Sequence, residues 1–123
     1  MPNYLRRRRS SFGHAFRGGR TLVATQPNAR VHAVATLAVT AMGITLGIER
    51  WEWVATACAM ALVWLAEALN TAVELLADEV TLERRERIGQ AKDVAAFGVL
   101  AAATGAVAVG LLVFAPRLLD FWR

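Results

Sequence analysis

Four polar residues recur at helical spacing in an otherwise apolar stretch of the chain. Glu67, Asn70, Glu74 and Asp78 are separated by three, four and four positions. At about 100° per residue, they fall within an arc of about 80° on one face of a helix. Residues 53–66, which lead into this acidic stripe, carry no charge. Because a charge near the centre of a bilayer costs roughly 2.5–3.5 kcal/mol, we interpret the stripe as functional.

Carboxylates in such an arrangement suit a hard divalent cation. Magnesium is typically held by one or two carboxylates together with the phosphates of a substrate. Phosphoryl transfer needs such an ion, a positive group near the phosphates, and a group that orients or deprotonates the acceptor. Glu67, Glu74, Asp78, Lys92 and Asp93 offer all three types of group. A plainer interpretation of Asp78, Lys92 and Asp93, as solvated charges that pair at helix ends, stays open.

The sequence carries no motif for several other chemistries. It has no Walker A motif, no glycine-rich dinucleotide loop and no zinc-type cluster of histidine and cysteine. Cys58 is the one cysteine, which excludes an intrachain disulfide. His14 and His32 are not at metal-ligand spacing. We interpret His32 as a polar group at the membrane surface that makes a local hydrogen bond, with a catalytic role as the alternative.

The elements that must position these residues are long apolar helices. The chain has 123 residues, room for one domain, with 56% hydrophobic residues and a mean hydropathy of +0.39. Residues 31–48 contain His32 as their one ionisable side chain, and residues 94–115 contain none. Each run is long enough to cross, or nearly cross, a hydrocarbon core of about 30 Å. With the helix that carries the acidic stripe, they predict an all-α membrane protein with three transmembrane helices.

Prolines and charged runs set the predicted boundaries within a single domain of residues 1–123. The spanning helices are expected at residues 28–48, 51–78 and 91–115, with an amphipathic surface helix at residues 12–25. Pro27 separates the surface helix from the first span, and the third span should end before Pro116. Residues 1–11 should fray or lie on the membrane, and residues 81–90 should form a charged connector.

Basic residues are distributed unevenly along the chain. Eleven of the fourteen lysines and arginines lie before the apolar run that begins at residue 31, or between the second span and the apolar run that begins at residue 94. The positive-inside rule therefore places the N-terminus in the cytoplasm. Trp51, Trp53 and Trp122 then lie near the outer face, as in an aromatic belt. We assign the arginine run to anionic lipid headgroups and not to nucleic acid.

The third predicted span carries a row of small residues. Gly98, Ala102, Ala106 and Gly110 follow one another at steps of four, a spacing that lets membrane helices approach closely. The alternative is that alanine and glycine are simply common in this segment. Three helices leave little room to shield the acidic stripe, so we expect a homo-oligomer.

Two blocks of this sequence resemble the small prokaryotic diacylglycerol kinase and undecaprenol kinase family. The family pattern E-x-x-N-[ST]-A-x-E-x-x-x-D is matched from Glu67 to Asp78, and an A-K-D block is matched at residues 91–93. Segments 12–19 and 28–32 and the Glu52-Trp53 pair match as well, so the resemblance extends over residues 12–114. It implies a homotrimer in the bacterial inner membrane that transfers the γ-phosphate of MgATP to a lipid alcohol.

The resemblance also implies roles for the matched residues. Glu67 would be the general base on the lipid hydroxyl, and Asn70 would help to place the acceptor or the phosphate. Glu74 would hold Mg²⁺ and contact the nucleotide. Asp78, Lys92, Asp93 and Arg17 would also bind the nucleotide, and Lys92 and Asp93 would in addition be catalytic. Arg20 and Arg30 would contact phosphate or a lipid headgroup.

One position departs from the family pattern. Many members have a glutamate ahead of the first span that joins the second acid at the metal, and here that position is Gln26. An amide oxygen can ligate Mg²⁺ but adds no charge, so the metal affinity should be lower. The Asn28…Arg30…His32 pattern and the Glu52-Trp53 pair resemble the undecaprenol kinases more than the diacylglycerol kinases.

Two other classes of function fit parts of the sequence. A small proton-coupled transporter would use Glu67 as its membrane carboxylate, but it would not need Lys92 and Asp93 beside a stripe of acids at one membrane face. A non-catalytic membrane oligomer would explain the row of small residues and leave the acidic stripe unexplained.

Overall fold

The computed structural model describes residues 2–83 and 85–121, with side chains described from residue 10 to residue 120 except at residue 84. Throughout these residues the chain is helical apart from short connections, and the described part contains no strand. The all-α prediction is therefore confirmed. The four helices of the described residues are α1 Pro2–Thr25, α2 Pro27–Leu46, α3 Arg50–Val80 and α4 Glu86–Phe121.

Three of these helices form an antiparallel bundle in which α3 packs mainly against α4. At one end, His32 of α2 lies beside Glu67 of α3, and Lys92 of α4 lies beside Asp78 of α3. We call this the polar end. At the opposite end, which we call the far end, Arg117 of α4 pairs with the α3 residue Glu52. The chain direction therefore alternates from α2 to α3 to α4.

The apolar core lies at the far end of the bundle. Ile48, Val113 and Phe114 are buried there, at 6%, 2% and 4% exposure. The partly buried side chains that pack against them are Val39, Met42, Leu46, Trp53 and Val109. By contrast, the buried residues of α3 near the polar end are Glu67, Asn70 and Thr71. The apolar core cluster therefore lies at the far end, where Glu52 is also buried, and the polar end buries Glu67, Asn70 and Thr71.

The turn between α2 and α3 is short because both helix ends are capped. Gly47 ends α2 with φ 60°, in the left-handed region that glycine adopts without strain. At the start of α3, the Glu52 carboxylate accepts a hydrogen bond from the Glu49 backbone N–H at 2.7 Å, and the Glu49 carboxylate caps in return. Trp53 then reaches back to α2 and lies against Gly43.

The outer faces of α2, α3 and α4 are strongly apolar. All three helices are long and apolar enough to cross a membrane. Large side chains such as Leu37, Ile44 and Leu112 are 70–78% exposed in the single chain. α3 has 31 residues, which at 1.5 Å per residue is about 46 Å, well beyond a hydrocarbon core of about 30 Å. Part of α3 therefore extends past the apolar layer.

Several helix boundaries differ from the sequence prediction. α1 begins at Pro2 instead of residue 12, and proline is well suited to a first helical turn. α4 begins at Glu86, where an acidic side chain favours a helix N-terminus. The expectation that α4 ends before Pro116 was wrong, since the helix continues to Phe121. Directly after this proline, the Arg117 guanidinium donates to the Val113 carbonyl at 3.2 Å and to Glu52 of α3, which ties the last part of α4 to α3.

Candidate active site at the polar end

Glu67 is the most deeply buried polar side chain of the bundle among the described residues, with 1% of its surface exposed. Its Oε2 atom has no hydrogen-bond partner within the described part of the chain. The Nε2 atom of His32 lies 3.6 Å away, slightly longer than a hydrogen bond. A buried polar atom without a partner costs free energy. Such an atom in an apolar helix is typical of a site completed by a substrate or by a small movement.

His32 differs from its sequence interpretation. We expected a polar group with a local hydrogen bond, but its Nε2 atom is buried and has no hydrogen-bond partner in the described residues. The imidazole packs edge-on against Trp64, with ring centroids 6.4 Å apart. The indole Nε1–H of Trp64 donates to Thr36 Oγ1 at 3.0 Å, which fixes the indole against α2. The sequence feature that could have pointed to a buried His32 is that it is the one ionisable residue of the apolar run 31–48.

Asn70 and Glu74 form the middle of the acidic stripe. The amide Nδ2–H of Asn70 donates to Glu74 Oε1 at 3.1 Å, one helical turn away. Asn70 is 8% exposed, and its Oδ1 atom is buried without a hydrogen-bond partner among the residues described. A carboxylate and a free amide oxygen are thus presented next to each other. Both are ligand types that Mg²⁺ accepts.

Asp78 and Lys92 form an ion pair across the connection between α3 and α4. Lys92 Nζ donates to Asp78 Oδ1 at 2.6 Å, and the side chains are 37% and 57% exposed. Asp93, the next residue, is exposed as well. An accessible ammonium paired with a carboxylate can contact the phosphates of an incoming nucleotide. The plainer interpretation of Asp78 and Lys92, an ion pair at the helix ends, is consistent with the same contact.

The other predicted site residues lie on α1 and at its junction with α2. Arg17 is exposed on α1, where its guanidinium contacts His14 Nδ1 at 2.6 Å. Arg30 donates to the carbonyls of Val23 and Ala24, so its guanidinium holds the C-terminus of α1. Gln26 is the N-cap residue of α2, and its side chain makes no capping hydrogen bond. No direct contact joins these three residues to the acidic stripe in the described part of the chain.

A groove between α3 and α4 leads to the acidic stripe from the apolar side. Its volume is about 590 Å³, and among the described residues that line it, Asn70 has the one polar side chain. Leu62, Leu65 and Leu69 of α3 form one side, and small residues of α4 such as Ala95 and Gly98 form the other. A groove of this kind can hold an alkyl chain while a polar head group lies next to Asn70.

The described residues contain no group of three or more histidine, cysteine, aspartate or glutamate side chains arranged to hold a metal ion. The oxygen atoms of Glu74 and Asn70 fit an ion that is bound mostly through substrate phosphates. They do not form a metal site by themselves.

Comparison with known proteins identifies the family. Residues 13–114 match the family model of the prokaryotic diacylglycerol kinases. The chain belongs to this family. An undecaprenol kinase of Bacillus subtilis is 34% identical to this family member over 116 residues, which cover 94% of each chain. A diacylglycerol kinase of Synechocystis is 36% identical over 111 residues, which cover 89% of this chain and 63% of that protein.

The family model and these relatives confirm the resemblance that the two sequence blocks indicate. They also support the prediction that the protein is a lipid kinase. They do not favour the transporter or the non-catalytic oligomer.

Proposed function

We propose that this prokaryotic diacylglycerol kinase family member transfers the γ-phosphate of ATP to the hydroxyl of a membrane lipid alcohol. The observation that carries the proposal is Glu67, a carboxylate buried to 99% within an apolar helix and left with an unpartnered oxygen. A buried acid of this kind suits a general base that meets its substrate from the bilayer. The Asp78–Lys92 pair lies at the same end of the bundle and can receive a nucleotide from water.

In this mechanism Glu67 accepts the proton of the lipid hydroxyl as the hydroxyl oxygen attacks the γ-phosphorus. Asn70 lies one turn further along the same face, in the wall of the apolar groove. Its amide orients the acceptor or the transferring phosphate, and the alkyl chain lies along the leucines of α3. Positioning of this kind, together with stabilisation of charge, supplies most of the rate enhancement in phosphoryl transfer.

Lys92 binds and neutralises the phosphates of ATP, and Asp93 and Asp78 orient the nucleotide around it. The 2.6 Å contact with Asp78 holds the ammonium ready for this role. Arg17, which is exposed on α1, is a further nucleotide contact, and Arg20 and Arg30 contact phosphate or a lipid headgroup. Arg30 retains part of its guanidinium for such a contact while it holds the end of α1.

Glu74 and Asn70 are the residues that would hold Mg²⁺, with Gln26 as an additional neutral ligand. The fit comes from the unpartnered Asn70 Oδ1 beside the Glu74 carboxylate. When bound, the ion offsets the negative charge of the phosphates during transfer. Glu74 and Asn70 remain oriented towards each other by their hydrogen bond.

We further propose that the chain spans the bacterial inner membrane with its N-terminus and polar end on the cytoplasmic side, with α1 lying at that surface. The supporting observation is the uneven distribution of arginine and lysine. A homotrimer would cover the apolar faces that are exposed in the single chain. The acceptor we favour is undecaprenol, supported by the high mutual coverage with an undecaprenol kinase, and diacylglycerol is the second choice.

A kinase assay with both lipid alcohols tests the proposal. Purified protein in mixed micelles is given ATP labelled at the γ-phosphate, Mg²⁺, and either undecaprenol or diacylglycerol, and the products are separated by thin-layer chromatography. We expect labelled undecaprenyl phosphate, and a loss of about 10²- to 10⁴-fold in Glu67→Gln with unchanged circular dichroism. Failure of the wild-type protein to label either lipid would refute the proposal.

A further inference from the structure

The His32–Glu67 pair contains two buried polar atoms that face each other without a hydrogen bond. His32 Nε2 and Glu67 Oε2 are 3.6 Å apart, and neither has a hydrogen-bond partner among the described residues. The two side chains are 17% and 1% exposed. A movement of about half an ångström would bring the atoms within the usual range for a hydrogen bond. The free energy lost by leaving both atoms unpaired favours that movement.

Among the described residues, the lining of the small cavity beside His32 contains no other charged side chain. The α4 residues that line the small cavity beside His32 are Ala103, Ala106, Val107 and Gly110. On α2 and α3, the neighbouring cavity residues are alanine, valine, methionine and threonine. Of the acidic side chains that the structure describes, Glu67 is the one within 4.0 Å of His32. The imidazole can therefore act on Glu67 without being drawn away by another carboxylate.

The orientation of the imidazole is fixed from the other side. Trp64 lies one turn before Glu67 on α3 and contacts His32 edge-on, with planes inclined by 68°. Thr36 lies one turn after His32 on α2 and accepts the Trp64 indole N–H. The four residues thus alternate between the two helices, and rotation of the His32 ring would require Trp64 to move as well.

We propose that His32 is a positioning residue for Glu67: its Nε2–H donates to Glu67 Oε2 and directs the second carboxylate oxygen towards the acceptor hydroxyl. This inference rests on the proposed function, because it gives Glu67 an acceptor to activate. In the reaction the acceptor proton moves to Glu67, the new bond joins the acceptor oxygen to the γ-phosphorus, and the bond from the γ-phosphorus to the bridging oxygen of ADP breaks. His32 contacts none of the reacting atoms.

Two substitutions separate hydrogen-bond donation from packing. His32→Phe keeps the ring and removes the donor, whereas His32→Gln keeps an N–H donor near the position of Nε2. We expect His32→Phe to lower kcat by about 10- to 100-fold, the usual cost of losing an orienting partner, with KM for MgATP unchanged. We expect His32→Gln to recover most of the loss. Thr40→Val is a matched control on α2, since its hydroxyl donates to the Thr36 carbonyl of its own helix.

A double substitution tests whether His32 acts through Glu67. If it does, His32→Phe should cost nothing further in the Glu67→Gln background. Three outcomes would each overturn the inference. The first is an equal kcat in wild type and His32→Phe, the second is an equal loss of kcat in His32→Phe and His32→Gln, and the third is additive losses in the double variant. If His32→Phe does not fold, His32→Asn is used instead. The asparagine side chain is too short for its amide to reach Glu67, so this variant also lacks the hydrogen bond.

An infrared measurement tests the contact without any activity. The carboxyl band of Glu67 is assigned from the difference between wild type and Glu67→Gln. We expect this band to shift in His32→Phe and to remain near its original position in His32→Gln. An unchanged band in His32→Phe overturns the inference even if the kinase is active. A shifted band in a protein that phosphorylates neither lipid supports the contact and refutes the proposed function.

Discussion

The ammonium of Lys92 lies 2.6 Å from the Asp78 carboxylate and joins the start of α4 to the last turns of α3. The two residues are 14 positions apart, on either side of the connection between these helices. Both side chains are partly exposed. Exposed ion pairs contribute about 0–1 kcal/mol to stability. This contact is therefore a weak stabiliser of the fold but holds a cation at an accessible site.

Removal of the Lys92 charge should separate activity from stability. Lys92→Met is expected to lower the free energy of unfolding by no more than about 1 kcal/mol. Kinase activity should fall by a much larger factor, with an increased KM for ATP, because phosphate charge is no longer neutralised. Arg85→Met is the matched control, since it breaks another exposed pair, Arg85–Glu83 at 3.7 Å. Equal kinetic effects of the two substitutions would contradict the role of Lys92.

The metal affinity tests the position of Gln26. Gln26→Glu adds a charge at the N-cap of α2, where the native side chain makes no capping hydrogen bond. If Gln26 lies at the metal, the variant should reach half-maximal activity at a lower Mg²⁺ concentration. Gln90→Glu makes the same chemical change on an exposed residue of α4. A Mg²⁺ dependence that is the same in wild type and Gln26→Glu would place Gln26 outside the site.

Arg30 should anchor α1 whether or not it contacts a lipid. Its Nε and Nη2 atoms donate to the carbonyls of Val23 and Ala24 in the last turn of α1. In Arg30→Met those carbonyls lose their partners, so hydrogen exchange in residues 20–26 should become faster. Arg20→Met is the control, since Arg20 is exposed on the same helix. Unchanged exchange in Arg30→Met would show that the anchor contributes nothing.

The sequence predicts the helices and the acidic stripe because both depend on local spacing. Apolar runs and the recurrence of Glu67, Asn70 and Glu74 can be read directly along one helix. The contacts of His32 and Arg117 could not be predicted, since each pairs with a residue at least 35 positions away on another helix. The continuation of α4 through Pro116 was not predicted either, since a proline within a helical pattern usually ends the helix.

Gly43 should be required for the packing of α2 against α3. A Cβ atom at this position would lie 2.8 Å from Cη2 of Trp53 and 3.1 Å from Cδ1 of Ile48. Overpacking costs about 1–3 kcal/mol, whereas alanine gains up to about 1 kcal/mol over glycine in a helix. We therefore expect Gly43→Ala to lower the melting temperature in detergent. Gly105→Ala has no neighbour within 4 Å in the single chain, and a similar decrease there would contradict the packing explanation.

The Glu52–Arg117 pair should stabilise the far end without affecting catalysis, because it lies at the opposite end of the bundle from Glu67. The Glu52 side chain is 6% exposed and that of Arg117 is 25% exposed. Arg117→Met leaves a buried carboxylate without its partner, whereas in Glu52→Gln the arginine can turn towards solvent. In Glu52→Gln the new amide oxygen can still accept the hydrogen bond from the Glu49 N–H that caps α3. Arg117→Met should therefore lower the melting temperature more than Glu52→Gln does.

The double variant Glu52→Gln/Arg117→Met decides between an ion pair and independent contributions. Once the carboxylate is neutral, loss of Arg117 should cost little, so the double variant should melt close to Glu52→Gln and above Arg117→Met. The kcat of each variant should match wild type at a temperature where all three are folded. Additive decreases in melting temperature would contradict the ion pair. A reduced kcat in folded Glu52→Gln would show that the far end communicates with the site.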